Sequence, residues 1–129
     1  MNIEIKFRAK NKIGWIYGYL SYANILNKKV MCIYDGNGDC IVDIDTIGQF
    51  TGLHDKNGND IYEGDIIQLQ CKENKYNCLV DWNINLGAWC ISIDNKCLGV
   101  KPLGEWLRED SFIVIGNIFD NPELLEDKS

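Results

Sequence analysis

Apolar and polar residues alternate with a period of two along most of this chain. At the start, Ile3, Ile5, Phe7 and Ala9 fall at odd positions while Lys6, Arg8, Lys10 and Lys12 occupy even ones. That is the pattern of a strand with one buried and one basic face. Residues 11–14 read as a turn into a second strand over 15–20. Residues 30–34 and 40–44 then read as a hairpin around Asp35-Gly36-Asn37-Gly38, whose Asn-Gly step supplies the positive φ angles that hairpin turns need. The segment 21–26 fits either a short helix or an irregular crossing.

The second half repeats the alternation at shorter spacing. Residues 47–51 are expected to be extended, Gly52 to break the strand, and 55–60 to form a polar loop around Asn57-Gly58. A strand over 66–71 follows, with Ile67, Leu69 and Cys71 against Ile66, Gln68 and Gln70. Asn74-Lys75 reads as a turn into a strand at 77–82, and 88–93, Asp94-Asn95 and 96–100 repeat the hairpin pattern. After Pro102 a helical turn at 103–109 is expected, then an apolar strand at 112–119. Asn121 is suited to cap a helix of at most two turns, with Pro122 in its first position and Glu123 near its positive pole.

These elements predict a mainly β chain with minor α. Residues 1–52 form a strand-rich N-terminal subdomain. Residues 53–129 form an SH3-like barrel with a short C-terminal helix, and the two halves are able to make one compact unit.

Three stretches carry a resemblance. IGQFTGLHDKNGNDIYEGDII at 47–67 resembles the signature of the YopX family of small phage and prophage proteins, and IKFRA at 5–9 and VIGNIFDNPELLE at 114–126 extend the likeness in the same order. Family members tend to have Trp-Asp after FRA, where this chain has Lys10-Asn11. The family has no established activity. The resemblance therefore implies a small β fold that includes an SH3-like barrel, and a phage or prophage accessory protein working in the host cytoplasm. Such a protein is expected to act by binding, either on a host protein or by sequestering a nucleotide signal used in defence.

Composition changes the picture in three places. At 129 residues with 46% hydrophobic and 25% charged residues, the chain is long enough for a core without a disulfide or metal staple. No apolar run approaches the roughly 18 residues of a membrane span, and the N-terminus lacks a secretion signal, so a cytoplasmic protein with no membrane partner is expected. The net charge of -6 is uneven: residues 1–29 hold six basic side chains against Glu4, a net of +5, and the remaining hundred hold seven basic and eighteen acidic, a net of -11. That asymmetry favours head-to-tail self-assembly into a homo-oligomer.

The six cysteines form three sequence pairs, Cys32/Cys40, Cys71/Cys78 and Cys90/Cys97. A reducing cytosol and the strain of a bridge across a hairpin favour free, buried thiols. With no CxxC and His54 as the sole histidine, no metal or other cofactor is expected. Asp35–Asp39 and Asp55–Asn59 begin like calcium loops, but Cys40 and Asp60 stand where glycine belongs, and Thr46 and Ile66 where the bidentate glutamate belongs, so both read as turns.

No catalytic motif is present, and a non-enzymatic protein is expected. The candidate binding residues are the basic stripe Lys6, Arg8, Lys10 and Lys12 with Trp15, and an exposed face of the signature holding Gln49, Thr51, His54 and Asp65. Four cations on one strand face suit a phosphorylated small molecule, or nucleic acid as the less favoured alternative given the overall acidity. The same stripe would also serve as the charged face of an edge strand. Trp82 and Trp89 are expected in the core.

Overall fold

The computed structural model describes residues 4–71, 73–93, 100–103 and 111–126. The chain divides into two compact units, Met1–Gly52 and Leu53–Ser129. Both are antiparallel β structures, and the mainly β class stands. Among the described residues no helix is long and apolar enough to cross a membrane.

The first unit contains β1 (Phe7–Lys10), β2 (Trp15–Ile25), β3 (Lys28–Tyr34), β4 (Asp39–Ile41) and most of β5 (Asp43–His54), in the spatial order β4-β3-β2-β1-β5. Residues 21–25 are neither helical nor irregular. They continue β2, pairing Ser21 with Cys32 through Ile25 with Lys28, and Leu26 and Asn27 make the turn with φ of 51° and 65°. The hairpin around residues 35–38 forms as expected, with Tyr34 opposite Asp39. Its turn is held by Asp35, whose Oδ1 accepts the N–H groups of Asn37 and Gly38 at 2.8 and 3.1 Å. Those two bonds hold the Asp35 carboxyl below the usual carboxylate range.

Strand β1 is not an edge. β2 and β5 pair with it on either side. The core of this unit is Ala9, Ile33 and Val42, with Phe7, Ile16 and Ile47 packed against them. Gly52 takes φ +85° without ending the strand, which runs on to His54.

The second unit contains β6 (Asp60–Tyr62), paired with β5, and a five-stranded sheet of β7 (Asp65–Cys71), β8 (Asn74–Asn83), β9 (Ala88–Ile93), β10 (Val100–Pro102) and β11 (Ser111–Asn117) in the order β10-β9-β8-β7-β11. Strand β8 begins three residues earlier than its pattern suggested, because Cys71 already pairs with Asn74. The sheet order leaves β10 and β11 at its edges. Two open antiparallel sheets are therefore what the structure contains, and the finer SH3-like barrel does not follow from this order. Ile61, Ile67, Leu69, Cys78, Val80, Ile91, Leu103 and Phe112 form the core.

A 3-10 helix at Pro122–Leu125 closes the chain, and Asn121 does not cap it through its side chain. Its Oδ1 instead accepts the N–H of Asn117 at 3.3 Å, and the main-chain N–H of Asn121 reaches the Asn117 carbonyl at 2.8 Å. Trp82 is 46% exposed rather than buried. It lies opposite Trp89 on β9 and meets it edge-on, ring centroids 5.1 Å apart, so Trp89 covers the core and Trp82 covers Trp89.

Cys32, Cys78 and Cys90 are buried and Cys40 half-buried, all four as free thiols. The register explains why Cys32 and Cys40 do not bridge: Cys32 lies opposite Ile41 and Cys40 opposite Ile33, while Cys78 lies opposite Ile67. Cys97, the Asp94-Asn95 turn, Trp106 and the helical turn beyond Leu103 lie outside the described residues.

Candidate functional site

The first unit holds a cleft of about 640 Å³ lined by Lys10, Asn11, Lys12, Ile13, Ile41, Val42, Asp43 and Thr46. Its floor arises from a slip in strand pairing. Arg8 lies opposite Gly48, but Lys10 lies opposite Asp43, so β5 carries three more residues than β1 over the same stretch. The hydroxyl of Thr46 repairs the interrupted ladder: it accepts the Lys10 N–H at 2.8 Å and donates to the Asp43 carbonyl at 2.7 Å. The rim is the β1–β2 turn, where Asn11 Oδ1 accepts the N–H groups of Ile13 and Gly14 at 2.8 and 3.2 Å. The Asn11 amide donates to the Ile41 carbonyl at 3.4 Å, tying the rim to β4.

The walls are of mixed chemistry. Lys10 is half-buried and Lys12 exposed. Val42 is buried, whereas Ile41 is 50% and Ile13 96% exposed. Asp43 is the one carboxylate among the lining residues, and its Oδ1 accepts the Asp45 N–H at 3.1 Å. An anionic group with an apolar body matches such walls: ammonium groups attract the charge and the aliphatic side chains cover the rest.

The basic stripe does not present four cations to solvent. Arg8 is only 6% exposed, with its guanidinium 4.8 Å from the centroid of the Trp15 ring. Trp15 itself is half-buried, and its indole face accepts the guanidinium stack. Lys6 is 3.4 Å from Glu4 and lies 4.6 Å above the Phe50 ring. Lys10, with its ammonium 5.9 Å from the Trp15 ring, reaches both that aromatic and the cleft. The structure thus brings together Lys10 and Lys12 at the cleft, and Arg8 and Trp15 beside them.

The residues of the signature face separate. Gln49 and Thr51 are half-buried on β5 and His54 is exposed, its Nε2 3.0 Å from Asp60 Oδ1. Asp65 is 1% exposed and so lies off that face; its Oδ2 accepts the Tyr62 N–H at 2.8 Å across the Glu63-Gly64 turn. Asp55 is likewise a buried turn residue. Burial opposes its ionisation, but the N–H groups of Val114, Asn59 and Asn57 and the Asn59 amide outweigh it and hold the carboxyl below its ordinary value.

Six lining residues, Asn11, Ile13, Ile41, Val42, Asp43 and Thr46, were not candidates from sequence. Asn11 was legible as a turn residue, but the slip that makes Thr46 a structural hydroxyl leaves no periodic signal. Among the described residues no group of three or more His, Cys, Asp or Glu is placed to hold a metal ion.

A family model described as YopX protein matches residues 6–126. No curated protein matches the chain. The crystal structure of protein EF1440 from Enterococcus faecalis is similar with a TM-score of 0.61 and 25% identity, covering 97% of this chain and 100% of that one. The crystal structure of protein yopX from Bacillus subtilis has a TM-score of 0.61 and 22% identity, covering 94% of this chain and 98% of that one, a likeness of fold.

Proposed function

The chain belongs to the YopX family, and from that premise we propose that it is a non-enzymatic accessory protein of a phage or prophage that acts by binding, through the cleft beside Lys10. The observation that supports this is the pairing of Lys10 and Lys12 with an apolar wall of Ile41 and Val42 around a space of small-molecule size. A phosphorylated small molecule, such as a nucleotide signal of the host's defence, is the ligand class such walls suit. A host protein is the other target. In this reading the protein works in the host cytoplasm as a homo-oligomer, holding its ligand rather than converting it.

The described nucleophile and base candidates favour binding over catalysis. His54 is exposed and engaged with Asp60, and Cys32, Cys78 and Cys90 are buried. For the nucleic-acid alternative, the burial of Arg8 and the pairing of Lys6 with Glu4 leave Lys10 and Lys12 as the stripe cations at the cleft.

The experiment is native mass spectrometry of the protein taken directly from cells, followed by titration with ATP and with cyclic di-AMP. We expect retained mass on the wild-type chain, lost in a Lys10→Ala/Lys12→Ala variant whose affinity falls by about tenfold or more. A wild-type chain that carries no added mass and gives no heat with either nucleotide overturns the sequestration reading.

A further inference from the structure

Cys32 and Ile33 are buried in the β2–β3 hairpin, but towards its turn large apolar side chains face solvent. Tyr19, Tyr22, Ile25 and Leu26 are 63%, 55%, 42% and 93% exposed. A hairpin end in water is ordinarily polar, and contiguous exposed apolar side chains mark a surface that something covers. The turn itself breaks a local rule. Both of its residues have positive φ, a conformation that Asn and Gly adopt readily and a bulky side chain resists. Leucine at position 26 is therefore unfavourable for the backbone and unfavourable in solvent, and it gains only if an apolar partner meets it.

Charge identifies the partner. Residues 5–34 contain six basic side chains and no acid. At the end of the hairpin Lys28 and Lys29 are exposed, with the Lys29 ammonium 4.4 Å above the Tyr22 ring. A surface of opposite character lies on the same chain: residues 111–126 contain Asp120, Glu123 and Glu126 and no lysine or arginine. All three acids are exposed, and Phe119 beside them is 41% exposed.

We propose that the tip of the β2–β3 hairpin docks on residues 119–126 of a second copy of this chain. Lys28 and Lys29 meet Asp120, Glu123 and Glu126, and Leu26 and Ile25 meet Phe119. The two patches differ, so the contact is heterologous and builds a closed ring or an open chain of copies. The proposal specifies the surface behind the homo-oligomer proposed above and requires no ligand, so it stands or falls separately from the cleft.

The test is sedimentation of the full chain over a micromolar concentration series. The wild type is expected to show mass above the 14.8 kDa of one chain. Lys28→Glu/Lys29→Glu and Glu123→Lys/Glu126→Lys each weaken association by about tenfold or more, as charge reversal across an interface does. Mixed in equal amounts, the two variants associate again, because the mixture supplies one intact hairpin and one intact acidic patch. A Leu26→Asn variant, which suits the turn better, keeps or raises resistance to urea while losing association, and this separates docking from folding. A wild type that stays monomeric, an oligomer that both charge variants retain, or a mixture that does not reassociate overturns the proposal.

Discussion

At position 55 both carboxylate oxygens are occupied, which is why a carboxamide cannot replace the acid. Oδ1 accepts the N–H groups of Asn57 and Asn59, each at 2.9 Å, and Oδ2 accepts the Asn59 amide at 3.1 Å and the Val114 N–H at 3.0 Å. In an Asp55→Asn variant one of these acceptors becomes a donor facing other donors. We predict a loss of about 1–3 kcal/mol of stability at neutral pH, measured by urea unfolding followed through tryptophan fluorescence. The pH dependence has a definite sign. The folded pKa of Asp55 lies below its ordinary value of 3.8, so its contribution is present above 3.8 and is lost as pH falls through the folded value. The gap between wild type and variant should therefore narrow below pH 3.8; a gap that stays constant to lower pH would show that the charge contributes nothing. At this scale the sequence was readable where a residue acts on its neighbours, as Asp35, Asp55 and Asn57-Gly58 do. It was silent on Arg8, whose burial depends on Trp15 arriving from the next strand.

The elements were legible wherever a strand kept its period. Residues 88–93 and 66–71 appear nearly as their alternation predicts. Residues 21–25 were ambiguous because SYANI has weak alternation and carries Ser21 and Asn24, which also suit turns, and their pairing with β3 decides them. The β1–β5 slip could not be read at all, since it depends on which residues of two distant segments face one another. Thr46 is the test of that element. It is 7% exposed and its hydroxyl serves one ladder N–H and one ladder carbonyl. Thr46→Val keeps the shape and leaves both groups without this partner, for which we predict a cost of about 1–3 kcal/mol. Thr46→Ser, which keeps the hydroxyl, should recover most of it. If valine is as stable as threonine in urea unfolding, the hydroxyl does not repair the ladder.

For the whole molecule, the family resemblance was readable from three short segments and the mainly β class from the alternation along the chain, because turn residues and period-two patterning each constrain backbone geometry directly. The strength of each core was not readable, because it depends on how strands stack. Among the described residues the second unit buries an eight-residue cluster, whereas the cluster of the first is Ala9, Ile33 and Val42, with Cys32 and Phe50 buried outside it. Each fully buried aliphatic side chain contributes about 1.5–3 kcal/mol of transfer free energy, so the two units should not resist opening equally. Amide hydrogen exchange is expected to show β7, β8 and β9 as the slowest segments and the outer half of β2 and β3 as among the fastest, since local opening follows buried apolar contact. If the hairpin docks as proposed above, its exchange slows as protein concentration rises, while that of β7 to β9 stays the same. Equal protection across both units at every concentration would mean that the smaller core opens only with the larger one and that the chain unfolds as a single cooperative body.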